Sequence, residues 1–330
     1  AYAMVLINGE SLYAFRDPNG IRPLVLGKLP NDAGWCVASE TCAFDILGAE
    51  FVREVEPGEV LRINAEGLVS ERAVAPRKKA LCIFEHVYFA RPDSVMDGAT
   101  VQSMRVKMGE QLARESAVEA DLVIGVPDSG LPGAEGFSRA SGIPCRTGFV
   151  KNRYVGRTFI QPTQEMRELG VRLKLNPLRE TIEGKRVVVV DDSIVRGTTS
   201  KQIVRMLREA GATEVHMRIV SPEVKWPCFY GIDTDTQDQL ISARKTPEEV
   251  CEWIGADSLA FLSVEGLLSC VPEGGYCCSC FDGAYPVEIP AVFSQGKFLD
   301  GYTPNNLTKA SANSHRSVSD VAREIEKEYE

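Results

Sequence analysis

The sequence predicts an α/β protein in which a small antiparallel meander precedes a parallel sheet flanked by helices. Three observations carry that reading. Short strand-like runs broken by turn residues fill the chain to about residue 75. From about residue 82 the pattern changes to alternating helix and strand. The run Val187–Val190 is four consecutive valines, as expected of a strand buried on both faces.

In chain order, Ala1–Ile7 and Ser11–Phe15 flank Asn8-Gly9, a two-residue hairpin signal. Arg16-Asp17-Pro18-Asn19-Gly20 is a turn cluster. Short strands are expected near Arg22–Leu26, Trp35–Ser39 and Val60–Ile63, with a short helix over Thr41–Leu47. Pro76-Arg77-Lys78-Lys79 reads as a boundary. Met104, Met108 and Leu112 share one helical face, Leu122–Val126 is a buried strand, and Leu131, Ala134 and Phe137 predict the next helix. Arg186–Val190, a helix with Ile203, Val204 and Leu207 inward and Gly211 at its end, and the strand Glu214–Val220 form a strand–helix–strand unit of a parallel sheet. Thr246-Pro247-Glu248-Glu249 is a capping box with proline at the first helical position. The last forty residues are polar and end in a charged tail.

The chain has 330 residues and a formal net charge of -9, which argues against a general nucleic-acid or membrane-surface binder. No apolar run is long enough to span a bilayer, and no basic segment followed by an apolar one marks a signal peptide, so a cytoplasmic protein is expected. The first strand begins at once after Ala1, which leads us to expect missing upstream sequence. Ten cysteines without a secretion signal point to metal or cluster ligation before a disulfide framework.

The most informative string is Val187 to Thr199. A buried strand ends in Asp191-Asp192, at the sheet edge where ligands bind in open α/β folds. The turn Ser193-Ile194-Val195-Arg196-Gly197-Thr198-Thr199 then opens a helix, whose backbone N–H groups suit a monophosphate. The carboxylates can accept hydrogen bonds from ribose hydroxyls or hold a hard cation. Neither Gly-x-x-x-x-Gly-Lys-Ser/Thr nor Gly-x-Gly-x-x-Gly is present. The string resembles the signature of the type I phosphoribosyltransferases. By that resemblance Val126-Pro127-Asp128-Ser129-Gly130 is the pyrophosphate loop, and Mg²⁺ lies near Ser129, Asp191 and Asp192. The segment Lys151 to Lys174 holds six Lys or Arg against two acidic residues. It is read as an anion lid whose Lys151, Arg153 and Arg157 stabilise a departing pyrophosphate.

The resemblance narrows further. Arg16 to Leu24, Cys82-Ile83-Phe84-Glu85-His86-Val87-Tyr88-Phe89-Ala90-Arg91-Pro92-Asp93-Ser94, Lys151 to Ile160 and Asp191 to Thr199 together resemble the glutamine phosphoribosylpyrophosphate amidotransferases, over nearly the whole chain to about Pro290. The resemblance implies a type I phosphoribosyltransferase sheet over residues 76–290. It makes 1–75 the C-terminal part of an N-terminal-nucleophile glutaminase domain and 291–330 a polar tail. It also implies phosphoribosyl diphosphate and glutamine-derived ammonia as substrates, purine nucleotides as inhibitors and a homotetramer. The family's nucleophile is an N-terminal cysteine, whereas residue 1 is Ala, so a fragment with exposed sheet edges and without glutaminase activity is expected.

Cys277 and Cys280 form a Cys-x-x-Cys pair, which alone fits zinc, a redox dithiol or two buried thiols. Cys82 and Cys228 lie in strings that match the family, and in one of its branches these four positions bind a 4Fe-4S cluster. Spacing does not separate zinc from a cluster, and the resemblance favours the cluster. Cys36, Cys42, Cys145, Cys251 and Cys270 are read as buried thiols, Cys278 is ambiguous, and the three histidines have no metal spacing. Two other functions fit the same motifs: a phosphoribosyltransferase for a nucleobase, and a nucleotide sensor without catalysis. The meander and the cysteines argue against the first, the basic lid against the second.

Overall fold

The computed structural model describes residues 1–152, 154, 175–232, 234 and 236–290. The N-terminal part carries β1 (Ala3–Asn8), β2 (Ser11–Arg16), β3 (Val25–Lys28), β4 (Trp35–Ala38), the helix α1 (Cys42–Leu47), β5 (Glu50–Glu54), β6 (Glu59–Asn64) and β7 (Gly67–Arg72). They form two antiparallel sheets, ordered β1-β2-β6-β7 and β4-β3-β5, which enclose Ala14, Leu24, Leu26, Val55 and Leu61. The hairpin turn is Gly9-Glu10 and not Asn8-Gly9, because Asn8 pairs with Ser11 and Gly9 takes φ +58°. β3 starts three residues later than the Arg22–Leu26 run, since Pro23 has no N–H to offer the ladder and the Arg22 carbonyl already accepts from Arg16 Nε (3.0 Å). β5 and β7 are edge strands that carry charged residues and have no clean alternation, so the sequence pattern missed them. β1 is also an edge, and Met4, Val5, Leu6 and Ile7 on it are exposed.

The turn cluster does more than reverse the chain. Asp17 accepts from the N–H groups of Asn19 and Ile21 (3.0 Å each). Buried Arg16 donates to the carbonyls of Arg22, Val55 and Gly20 and pairs with Glu54 at 3.1 Å. Asn19 Nδ2 donates to Lys78 O, and Cys82 N–H donates to Ile21 O. These bonds fasten the antiparallel part to β8 (Leu81–Cys82) and to the π-turn Glu85–Phe89, where Arg22 pairs with Glu85 at 3.0 Å.

The chain continues through β9 (Val95–Met96), β10 (Ala99–Thr100), α2 (Val101–Glu115), β11 (Leu122–Gly125), α3 (Gly130–Ser141), β12 (Phe149–Lys151) and β13 (Leu175–Pro177). Then come α4 (Arg179–Ile182), β14 (Arg186–Asp191), α5 (Thr198–Glu209), β15 (Glu214–Ile219), α6 (Pro247–Ile254), β16 (Ser258–Phe261), α7 (Val264–Ser269), β17 (Tyr276–Cys277) and α8 (Ser279–Asp282). β11, β14, β15 and β16 form a parallel sheet in the order β11-β14-β15-β16. The valines of β14 alternate between two cores: Val188 and Val190 pack with Met104, Met108, Ala134 and Phe137, and Val187 and Val189 with Ile203, Val204 and Leu207. The sheet is thus covered on both faces, as the all-apolar strand requires.

Leu131, predicted to face the core, is 48% exposed. α3 meets α2 through glycine: a Cβ on Gly136 would lie 1.9 Å from Val106 O, and one on Gly109 2.0 Å from Gly133 O. That backbone approach turns the leucine outward. Gly211 (φ +97°) stands just past the end of α5, and the Thr246–Glu249 capping box is present, as read from the sequence.

Candidate functional site

β14 delivers Asp191 and Asp192 to the C-terminal edge of the sheet, both buried. Asp192 accepts from Ser129 Oγ and from Ser193 Oγ, each at 2.5 Å, and its own N–H donates to Asp191 Oδ1 at 2.9 Å. The turn before α3 is thereby tied to the carboxylate pair across 63 residues of sequence. Gly130 makes this approach possible, because a Cβ there would stand 2.4 Å from Val190 O. The Pro127–Asp128 peptide is cis. Burial pushes the Asp191 carboxyl well above its ordinary value, and the neighbouring Asp192 pushes it further. Burial also raises Asp192, against the serine hydrogen bonds and the Arg105 charge. Two buried carboxyls with few compensating positive charges favour a cation or a polyhydroxyl ligand.

After the pair, Ile194 turns inward, the Val195 carbonyl accepts from Ile241 N–H (2.9 Å), and Gly197 adopts φ +76° before α5. Gly197, at the N-cap of α5, has no side chain to cap the helix, which leaves its first-turn N–H groups suited to an anion. Arg196, Thr198 and Thr199 are exposed beside it. Lys151, at the end of β12, pairs with Asp128 and so joins the rim of the same site. Arg153 and Arg157 lie outside the described residues.

The structure adds a residue that the sequence reading did not single out. Arg105 of α2 is buried, donates to the carbonyls of His86 and Ala90 (2.8 Å each), and contributes the positive charge nearest in effect to Asp192. It stands between Met104 and Val106 in a helix read for its apolar face, and nothing in the sequence marked it.

β17 pairs with β8 so that Cys277 stands opposite Cys82. The Cys280 carbonyl accepts from the N–H groups of Lys225 and Trp226, which brings the Cys228 segment alongside. Burial raises the Cys280 thiol, and Cys82, Cys277, Cys228 and Cys278 raise it further, so all four predicted ligands and Cys278 share one neighbourhood. Among the described residues, no three His, Cys, Asp or Glu side chains are gathered tightly enough to hold a single metal ion. Cys42 and Cys270 are buried, but Cys145, read as a buried thiol, is exposed, and Cys36 and Cys251 are half-buried. Cys145 makes an isolated bridge with Val123 at the margin of the sheet. Among the described residues no helix is long and apolar enough to cross a membrane.

Residues 107–221 match the phosphoribosyl transferase domain family. The chain is 57% identical over 302 residues to an amidophosphoribosyltransferase of Synechocystis, covering 91% of this chain and 61% of that protein. The amidophosphoribosyltransferase of Bacillus subtilis is 56% identical over 295 residues, 88% of this chain and 62% of its own length. Among solved structures, the Bacillus subtilis glutamine phosphoribosylpyrophosphate amidotransferase complexed with ADP and GMP superposes with a TM-score of 0.81 at 54% identity, covering 88% of this chain and 65% of that one. The chain thus spans about three-fifths of the length of the curated relatives it matches. Sequence and fold agree with those of amidophosphoribosyltransferases over about nine-tenths of this chain's residues.

Proposed function

We propose that this chain carries the transferase reaction of an amidophosphoribosyltransferase. It would make 5-phosphoribosylamine and pyrophosphate from phosphoribosyl diphosphate and ammonia, the first committed step of de novo purine biosynthesis. In the full-length protein the ammonia comes from glutamine. In this reading residues 1–75 belong to the glutaminase part, 76–290 to the transferase and 291–330 to a tail. The observation that carries the proposal is the convergence on one sheet edge of a buried carboxylate pair, a glycine-hinged loop at a helix start, and a turn pinned by Ser129 and Lys151.

In this reading Asp191 and Asp192 accept from the ribose hydroxyls, while the Ser193–Thr199 backbone takes the 5′-phosphate. Asp128, Ser129 and Gly130 face the pyrophosphate, and Lys151, Arg153 and Arg157 stabilise its charge as it leaves. The hard oxygen set of Ser129, Asp191 and Asp192, with its only partly compensated buried carboxyls, fits Mg²⁺, which when bound would supply further positive charge to the pyrophosphate. Neutral ammonia needs no strong base before it attacks C1. The new C1–N bond replaces the C1–O bond to pyrophosphate, and the nitrogen then loses a proton. Ammonia-dependent pyrophosphate release by residues 1–330 tests this. Release should require ammonia and phosphoribosyl diphosphate together, and no nucleobase should replace ammonia. Release supported by a nucleobase alone would make the chain a different phosphoribosyltransferase.

The Bacillus subtilis relative was solved with ADP and GMP. On that basis we take purine nucleotides to bind here as well; their role as inhibitors and the homotetramer are proposed from the family resemblance alone.

Cys82, Cys228, Cys277 and Cys280 would hold a 4Fe-4S cluster, which when bound cross-links β8, the segment after β15 and the C-terminal turn. The fit rests on four thiols from three segments in one buried neighbourhood. Anaerobically purified protein should be brown and contain iron and acid-labile sulfide, and Cys→Ser at any of the four should lower both together with thermal stability. Stoichiometric zinc without sulfide would reject the cluster.

A further inference from the structure

The loop proposed above to hold the 5′-phosphate has a floor built from outside it. Trp253 lies on α6, and a Cβ on Gly197 would stand 2.8 Å from its Cζ3 and 2.9 Å from Ile241 Cδ1. The indole therefore sits directly against the glycine hinge that opens α5. On the same ring, the Lys201 ammonium rests 4.6 Å from the centroid, one turn into α5. Ile241 N–H closes the other side by donating to Val195 O at 2.9 Å. α6 itself is held by the Thr246–Glu249 capping box and contacts β16 of the parallel sheet. The loop thus rests on a capped helix that lies outside the 107–221 stretch matched by the domain family.

We propose that Trp253 is a positioning residue for the sugar-phosphate site: its half-buried indole sets the height of Gly197 and thereby aims the first N–H groups of α5 at the 5′-phosphate. This rests on the sugar-phosphate reading of the loop. The physical reason is steric and electrostatic together. Gly197 at φ +76° has no side chain to brace it, so its position is fixed only by what it touches. Lys201 held over the ring ties the second turn of α5 to the same support. A bulky core residue with no further role would affect stability alone. A floor for the loop affects phosphate affinity beyond any loss of stability.

The test uses ribose 5-phosphate as probe, by calorimetry and by tryptophan fluorescence, on residues 1–330. Wild type should bind it with a change in indole emission that W253F removes, leaving the signal of Trp35 and Trp226 unaffected. W253L should weaken ribose 5-phosphate binding about tenfold, the equivalent of one well-placed contact, and W253F should recover most of it. G197A should cost at least about threefold more in the wild type than in the W253L background, since the added methyl meets the indole only in the former. If W253L does not fold, W253M, which keeps much of the volume but not the ring, carries the same comparison with G197A. Wild-type affinity in W253L together with additive effects of G197A would overturn the positioning role and leave the sugar-phosphate reading standing. Failure of the wild type itself to bind ribose 5-phosphate would overturn that reading and this inference with it.

Discussion

Replacing Asp191 and Asp192 together by Asn is expected to abolish measurable binding of phosphoribosyl diphosphate while leaving the fold intact. Each ionised carboxylate that loses its charge gives up hydrogen bonds of about 1.5–3 kcal/mol, so the pair should cost about 10²–10⁴-fold in affinity. The fold should not suffer, because burial already raises both carboxyls and Asp192 presses further on Asp191. Neutral side chains of the same shape remove that burden. The pH behaviour follows from the same directions. A carboxyl whose folded pKa is raised keeps its proton in the native state while the unfolded chain has lost it. Its stabilising contribution is therefore complete below the ordinary aspartate value of 3.8 and is lost as pH rises through the raised value. The ligand-free wild type should lose melting temperature over that window, and the double Asn variant should not. Cation binding requires the ionised form, so Mg²⁺ should bind more tightly as pH rises and should restore the lost stability in the wild type only. Calorimetric titration with phosphoribosyl diphosphate and Mg²⁺, beside thermal melts across pH, measures both. Unchanged ligand affinity in the double variant would remove these carboxylates from the site.

The features legible in the sequence were those fixed locally. The four valines of β14 gave a two-faced strand, and their place before Asp191-Asp192 put these two carboxylates at the C-terminal edge of the sheet. Thr246 and Glu249 announced their helix because a capping box is complete within four residues. What stayed hidden depends on contacts between distant segments. Ser129 and Asp192 are 63 residues apart, and their hydrogen bond leaves no spacing to read. Arg105 looks like an ordinary helical cation, and only the folded chain aims it at the His86 and Ala90 carbonyls. Leu131 faces outward because two helices meet through glycines, an approach that apolar periodicity does not register. The iron–sulfur and magnesium assignments came from family resemblance. The fold brings their residues into common neighbourhoods.

Lys151→Ala is expected to lower turnover by about 10²–10³-fold, the usual loss when one preorganised charge contact to a developing anion is removed. In the proposed reaction the difficult event is departure of pyrophosphate from C1, and negative charge grows on the leaving oxygens as the bond opens. Lys151 is positioned for that moment by its ion pair with Asp128, which holds it at the mouth of the turn running from Val126 to Gly130. Both partners are partly exposed, so the pair itself contributes little to stability, and the melting temperature should barely move. Asp128→Asn tests the geometry separately. It frees the ammonium without removing it, so turnover should fall less than in Lys151→Ala. Ribose 5-phosphate carries no pyrophosphate, and its affinity should therefore remain near wild type in Lys151→Ala. Steady-state rates of ammonia-dependent pyrophosphate release, set against ribose 5-phosphate affinity by calorimetry, give the comparison. An equal loss in both quantities would make Lys151 a general anion anchor, and the stabilisation of the leaving group would then have to come from elsewhere in the site.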